Sequence, residues 1–234
     1  MAKLEFNGEI GMTTNLFIQA ITKFIFGFLL IGSLIFFPAG TLSYFNGWLF
    51  MGILFIPMFI AGVVLMIKNP YLLKIRLHAK EKLNWQGFVI KLSALMFTTG
   101  FVVAGLGYRL HWFMLPISVS LIASFVFLIA YVLYAEVLRE NTYLSRTIEV
   151  QENQTVIDTG LYGIVRHPMY SVTLLLFLSV PFVLGSVYTF IIFLVYPFII
   201  VNRIKGEEKF LEKELRGYKQ YKQKVKFRMI PFIW

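Results

Sequence analysis

The chain of 234 residues contains no cysteine, only 3 histidines and only 15% charged residues. Without cysteine there is no disulfide, no thiolate nucleophile and no zinc-thiolate centre, so thiol chemistry is excluded. His78, His111 and His167 are too widely separated to form a metal-ligand pattern. A glycine-rich dinucleotide fingerprint after a strand, a phosphate-binding P-loop and a Ser-His-Asp pattern are also missing. Internal repeats are absent too, which disfavours a transporter built from repeated halves. A typical soluble domain has about 25% charged residues. Here the shortfall is concentrated in long uncharged runs, 58% of residues are hydrophobic and the mean hydropathy is +0.74. Such a composition excludes disorder and describes a polytopic membrane protein.

About 20 apolar residues are needed for a helix to cross roughly 30 Å of hydrocarbon. Four segments satisfy this: Leu16 to Phe37, Gly47 to Ile67, Gly87 to Tyr108 and Phe113 to Val137. The short links after the first and third predict antiparallel hairpins. At the amino terminus, Glu5 and Glu9 interrupt the charged region and the first apolar run is too long for a signal peptide, so it is expected to stay as a span. From Pro168 to Asn202 no charged residue occurs. A single helix of that length would extend about 52 Å, so the run must fold back, with Leu184-Gly185-Ser186 as the expected turn and Pro181 and Pro197 inside the two arms. The expected fold is therefore all-α: a helical membrane bundle of about six segments ending in a hairpin and an amphipathic helix to about Tyr221. Residues 1–137 are expected to form a four-helix membrane part and 138–234 the remainder of one domain.

The net charge of +10 is concentrated near the carboxyl terminus, where 10 of the 22 Lys and Arg lie after position 202. A basic tail beside the last apolar run suits anionic lipid better than nucleic acid. The link from Lys68 to Lys82 carries Lys68, Lys74, Arg76, Lys80 and Lys82, and the stretch from Arg139 to Arg166 carries three more. Only Arg109 stands on the opposite side, so both termini are expected in the cytoplasm. Lys23 and Lys91 near helix ends are read as snorkelling to the interface.

Ionisable groups at a membrane border are costly unless paired or used. Two clusters qualify. The first is Tyr162 with Arg166-His167-Pro168-Met169-Tyr170, where Pro168 suits the first turn of a helix and puts Arg166 and His167 beside its free amides, a setting for an anion. The second is Arg203 with Glu207 and Glu208. A plainer reading of the same residues makes Arg166 a membrane anchor, His167 a cap and the acids a solvated face.

The run Gln154-Thr155-Val156-Ile157-Asp158-Thr159-Gly160-Leu161-Tyr162, followed by Arg166-His167-Pro168-Met169-Tyr170, Arg203 with Glu207-Glu208, and the tail to Pro231, resembles the isoprenylcysteine carboxyl methyltransferase family. Asn141 to Arg146 and Arg228 to Pro231 are similar to its bacterial members. The resemblance covers about Arg139 to Trp234 and implies an integral membrane enzyme of a bacterial or archaeal cytoplasmic membrane that uses S-adenosylmethionine. It implies that Gln151, Gln154, Thr155, Val156, Ile157, Tyr162, Arg166, His167, Pro168, Met169, Tyr170, Glu207 and Glu208 surround the cofactor. His167 would face its carboxylate, Glu207 its ammonium or ribose, and loop amides at Thr155 to Ile157 its adenine. Arg203 would hold a substrate carboxylate and pair with Glu207 when the site is empty. The acceptor would be lipophilic and would enter from the lipid. Val172 departs from the family, which commonly has glycine there. Three alternatives stand beside this: a phospholipid amine N-methyltransferase, an NADPH-dependent membrane reductase, and a non-enzymatic transporter or scaffold.

Overall fold

The computed structural model describes residues 2–77, 84–144 and 148–234. His78, Lys80, Lys82, Ser145 and Arg146, used in the sequence arguments, lie outside them. Helices α1 (Ala2–Ala39), α2 (Phe45–Lys68) and α4 (Asn84–Arg109) contain the first three expected spans, and α5 (Ile117–Glu140) covers the fourth from Ile117, four residues after its expected start; a short helix α3 (Pro70–Leu77) lies between α2 and α4. They are followed by α6 (Pro168–Val183), α7 (Val187–Phe193), α8 (Tyr196–Glu214) and α9 (Tyr218–Lys224). Among the described residues there is no strand, only one isolated bridge between Met114 and Ser186. Five stretches are long and apolar enough to cross a membrane, and large apolar side chains such as Phe26, Phe37 and Phe125 are exposed along them. In water such a surface would be an aggregation hazard, whereas in lipid it is the expected exterior.

The fold-back turns at the expected place. Gly185 has φ +69°, and a Cβ there would stand 2.9 Å from Asn46 Nδ2. Asn46 donates to the Val183 carbonyl at 2.9 Å and the Tyr44 hydroxyl donates to the Leu184 carbonyl at 2.5 Å, so the start of α2 pins the turn. Leu115 N–H donates to Gly185 O at 2.9 Å, and Gly40 approaches Arg109, so the links after α1, α4 and α6 gather at one end. The arms differ. At 16 residues α6 rises about 24 Å, shorter than a full crossing. The second arm is interrupted at Leu194 and Val195, where bonding tightens to Val195 N–H on Ile192 O. Pro197 stands in the first turn of α8 rather than inside one continuous arm, a place where a ring without N–H forfeits no helical hydrogen bond, whereas Pro181 stays inside α6.

Two local expectations are corrected. The short link after α4 does not make α4 and α5 a packed hairpin: the most extensive contacts join α5 to α6 and α4 to α1 and α7. Close approach explains the choice of partner, since a Cβ on Gly105 of α4 would lie 2.3 Å from the Ile35 carbonyl of α1. Similarly, the tail is not one helix to Tyr221: α8 ends at Glu214 and Gly217, at φ +89°, turns the chain into α9. Val172 is buried in the α5–α6 core. The Lys23 ammonium donates to the Leu77 carbonyl at the end of α3.

Candidate active site

At the end of the bundle opposite the Gly185 turn, the start of α6, the polar half of α8, α9 and the loop 148–157 surround a cleft of about 760 Å³, counting the solvent at its mouth. Pro168 is at the first position of α6 with His167 as the preceding cap residue. The Arg166 and His167 amides are engaged: they donate to the Phe227 and Arg228 carbonyls at 2.9 and 2.8 Å, so the tail runs back as a strap against the helix start. These two amides are therefore not free donors for a bound anion.

Glu207 and Glu208 are successive on α8, and a helix rotates about 100° per residue, so their side chains diverge. Glu208 turns inward and is only 3% exposed. Its Oε1 accepts from Arg166 Nε at 2.7 Å and faces His167 Nε2 at 3.3 Å; its Oε2 accepts from Arg228 Nε at 3.0 Å. Arg166 Nη1 also donates to the Val225 and Lys226 carbonyls at 2.7 and 2.8 Å. The acid and two arginines thus tie α6, α8 and the tail together. Glu208 does not line the cleft, and neither do Pro168 and Gln151. Gln151 organises the loop: its amide donates to Gln154 Oε1 at 2.9 Å and its side chain to the Tyr143 carbonyl at 2.8 Å.

Glu207 turns into the cleft. Its Oε2 accepts from the Tyr170 hydroxyl at 2.5 Å, and the same hydroxyl accepts from Arg203 Nε at 2.8 Å. The Tyr170 hydroxyl therefore links the arginine to the acid. Arg203 lies behind it and is not a cleft-lining residue. Gln154, Thr155, Val156, Ile157, Tyr162, Arg166, His167, Met169, Tyr170 and Glu207 all line the cleft. Among the described residues no hydrogen bond engages the backbone amides of Thr155, Val156 and Ile157.

Several participants escaped the sequence reading. Asn141 at the end of α5 donates to the Tyr162 hydroxyl at 3.1 Å, and Tyr221 donates to the Tyr162 carbonyl at 2.7 Å. Leu211, Leu215, Tyr218 and Tyr221 form the far wall. The Tyr218 hydroxyl is buried with no hydrogen-bond partner among the described residues. Burial raises its pKa, with the carboxylates of Glu208 and Glu207 adding to the effect, so the phenol stays a neutral donor. Buried polar groups are normally satisfied, so an orphaned hydroxyl on a cleft wall suits a ligand. Only the Tyr-x-x-Tyr spacing on α9 could have signalled it. Among the described residues no cluster of His, Asp or Glu could hold a metal ion.

The cleft floor depends on Gly160, at φ +48° in the 3-10 turn Gly160–Gly163. A Cβ there would fall 1.4 Å from Glu140 Oε1, the carboxylate whose Oε2 accepts from the Leu161 amide at 2.9 Å. Gly160→Ala is expected to destabilise the protein by about 1 to 3 kcal/mol through the lost bond and left-handed strain, read as a lower melting temperature. Gly62→Ala on α2, where nothing lies within 4 Å, should be neutral or slightly stabilising in the same assay.

Residues 113–217 match the family model of phospholipid methyltransferases. The match covers a little under half of the chain and runs from just before α5 to the Gly217 turn, including most of the cleft wall. Phospholipid and isoprenylcysteine methyltransferases share one superfamily of integral membrane enzymes. The match supports a membrane methyltransferase and does not choose between a carboxylate and an amine acceptor. No curated protein matches the chain.

Proposed function

We propose that this cleft binds S-adenosylmethionine and that the protein methylates a lipophilic acceptor, an ionised carboxylate as in isoprenylcysteine carboxyl methylation. The observation that carries the reading is the convergence of Glu207, Tyr170, His167 and the orphaned Tyr218 hydroxyl on one cleft, within and beside the segment that matches a methyltransferase model. The residues fit such a group. Glu207 suits its ammonium, the Tyr218 hydroxyl and His167 suit its carboxylate, and the open amides of Thr155 to Ile157 suit the adenine edge. When bound, S-adenosylmethionine supplies a methyl group on a positively charged sulfur.

A carboxylate acceptor is already ionised at neutral pH, so the chain's own residues have to align and dehydrate rather than move a proton. Arg203, held by the Tyr170 hydroxyl on the side away from the cleft lining, suits a two-pronged grip on that carboxylate. Tyr170 then separates the acceptor side from the cofactor side while linking Arg203 to Glu207. The family match keeps a phospholipid amine as the second reading. An amine must lose a proton, and Glu207 is the carboxylate at hand to receive it. The described cations of the α3 region, the cleft and the tail stand at one end of the bundle, which supports a cytoplasmic cleft with both termini on that side.

Calorimetric titration of the detergent-purified protein with S-adenosylhomocysteine tests the reading. Micromolar binding is expected, weakened more than about ten-fold by Glu207→Ala and about three- to ten-fold by Tyr218→Phe. A wild-type protein that ignores this ligand and binds NADPH would replace the methyltransferase with a reductase, and one that binds neither would leave a scaffold.

A further inference from the structure

Arg76, in the last turn of α3, has the other orphaned polar atom: among the described residues its Nη1 is buried without a hydrogen-bond partner. Its Nη2 donates to the Tyr134 hydroxyl of α5, and the guanidinium carbon stands 5.5 Å from the Tyr134 ring centroid. Two contacts to one aromatic residue therefore hold the fork in place. Neither contact supplies a negative charge. The acids on the adjoining turn of α5 are committed elsewhere, Glu136 to Arg139 and Glu140 to the Leu161 amide. Among the described residues this oriented cation at a membrane border has no counter-ion, a setting that suits a bound anion.

The surroundings specify which kind. Asn69 accepts from the Leu72 amide at the start of α3, and Leu72 and Leu73 are buried, which seats α3 against the ends of α1 and α2. Ile67 in the last turn of α2 and Tyr71 in the first turn of α3 are 75% and 68% exposed, with the exposed cation Lys68 between them in sequence. A cationic fork on a short helix that follows a span with an exposed apolar surface matches a phospholipid, with chains along that surface and phosphate at the guanidinium. Arginine's planar donors suit two phosphate oxygens at once.

The geometry points to Arg76 as the phosphate-binding residue of a phospholipid site at the corner of α2, α3 and α5. The site is separate from the cleft and does not depend on what the cleft binds. Thermal unfolding of the full chain in detergent, titrated with phosphatidylglycerol, phosphatidylcholine of the same chains, or inorganic phosphate, tests it. Phosphatidylglycerol is expected to raise the melting temperature at concentrations about ten-fold lower than phosphatidylcholine. Arg76→Gln should abolish that preference, Tyr134→Phe should weaken it, and Lys68→Gln should leave it within about two-fold. Equal protection of wild type and Arg76→Gln overturns the assignment, as does equal loss in Lys68→Gln, which would indicate a diffuse basic surface. Full protection by inorganic phosphate alone overturns the lipid as ligand. Because the cofactor titration reads a different site, either proposal can fail without the other.

Discussion

Arg203→Ala is expected to leave S-adenosylhomocysteine binding within about two-fold of wild type and to lower methyl transfer by about 100-fold or more, the scale on which lost alignment acts. The expectation follows from the position of Arg203 behind Tyr170, off the cleft lining, with Nε on the Tyr170 hydroxyl. Removing the guanidinium takes the grip from the acceptor while Glu207, Tyr218 and the loop amides remain. Tyr170→Phe removes the hydroxyl that joins Arg203 to Glu207 and should fall between wild type and Arg203→Ala in turnover. Single-turnover methyl transfer to a prenylated cysteine acceptor, alongside calorimetry on the same samples, measures both quantities. Equal loss of binding and turnover in Arg203→Ala would place the arginine in the cofactor site instead.

The opposite pattern is expected one turn further along α8. Glu208→Ala should cost about 3 to 5 kcal/mol, because it strands the buried Arg166 without its carboxylate and releases Arg228. For a chain of this size that corresponds to a fall in melting temperature of roughly 6 to 20 °C. Glu208→Gln keeps the shape and part of the hydrogen bonding and should fall between the two. Loss of cofactor binding in these variants should follow loss of structure, since the residue faces the tail and not the cleft. A Glu208→Ala protein that melts like wild type yet no longer binds S-adenosylhomocysteine would restore Glu208 to the cofactor site, where the family resemblance puts it.

The contrast between these neighbours shows where sequence reasoning stops. A Glu-Glu pair after an arginine reads as one acidic patch. Two successive residues on a helix point about 100° apart, however, and the rotation of α8 against α6 and the tail decides which acid meets the cleft. That rotation depends on packing around buried Ile200 and Ile204, which pattern counting does not resolve. The same limit hid the orphaned hydroxyl of Tyr218, a residue legible only as part of an apolar face. It also hid the strap formed by Phe227 and Arg228, whose carbonyls take up the amides that a local reading leaves free at a helix start.

Hydropathy and charge by themselves determined that this is a helical membrane protein, where its first four spans run, where the last apolar run turns and which loops carry the cations. Those are local properties: about 20 apolar residues cross a bilayer, and backbone groups inside it must be satisfied within a helix. Only the tertiary structure decided that α4 packs on α1 and α7 rather than on α5, that the Tyr170 hydroxyl links Arg203 to Glu207, and that Glu208 holds the tail. Each of these depends on how close two backbones approach and how each helix is turned about its axis. Contacts between residues distant in the chain set both, through the shapes of side chains that no single segment contains.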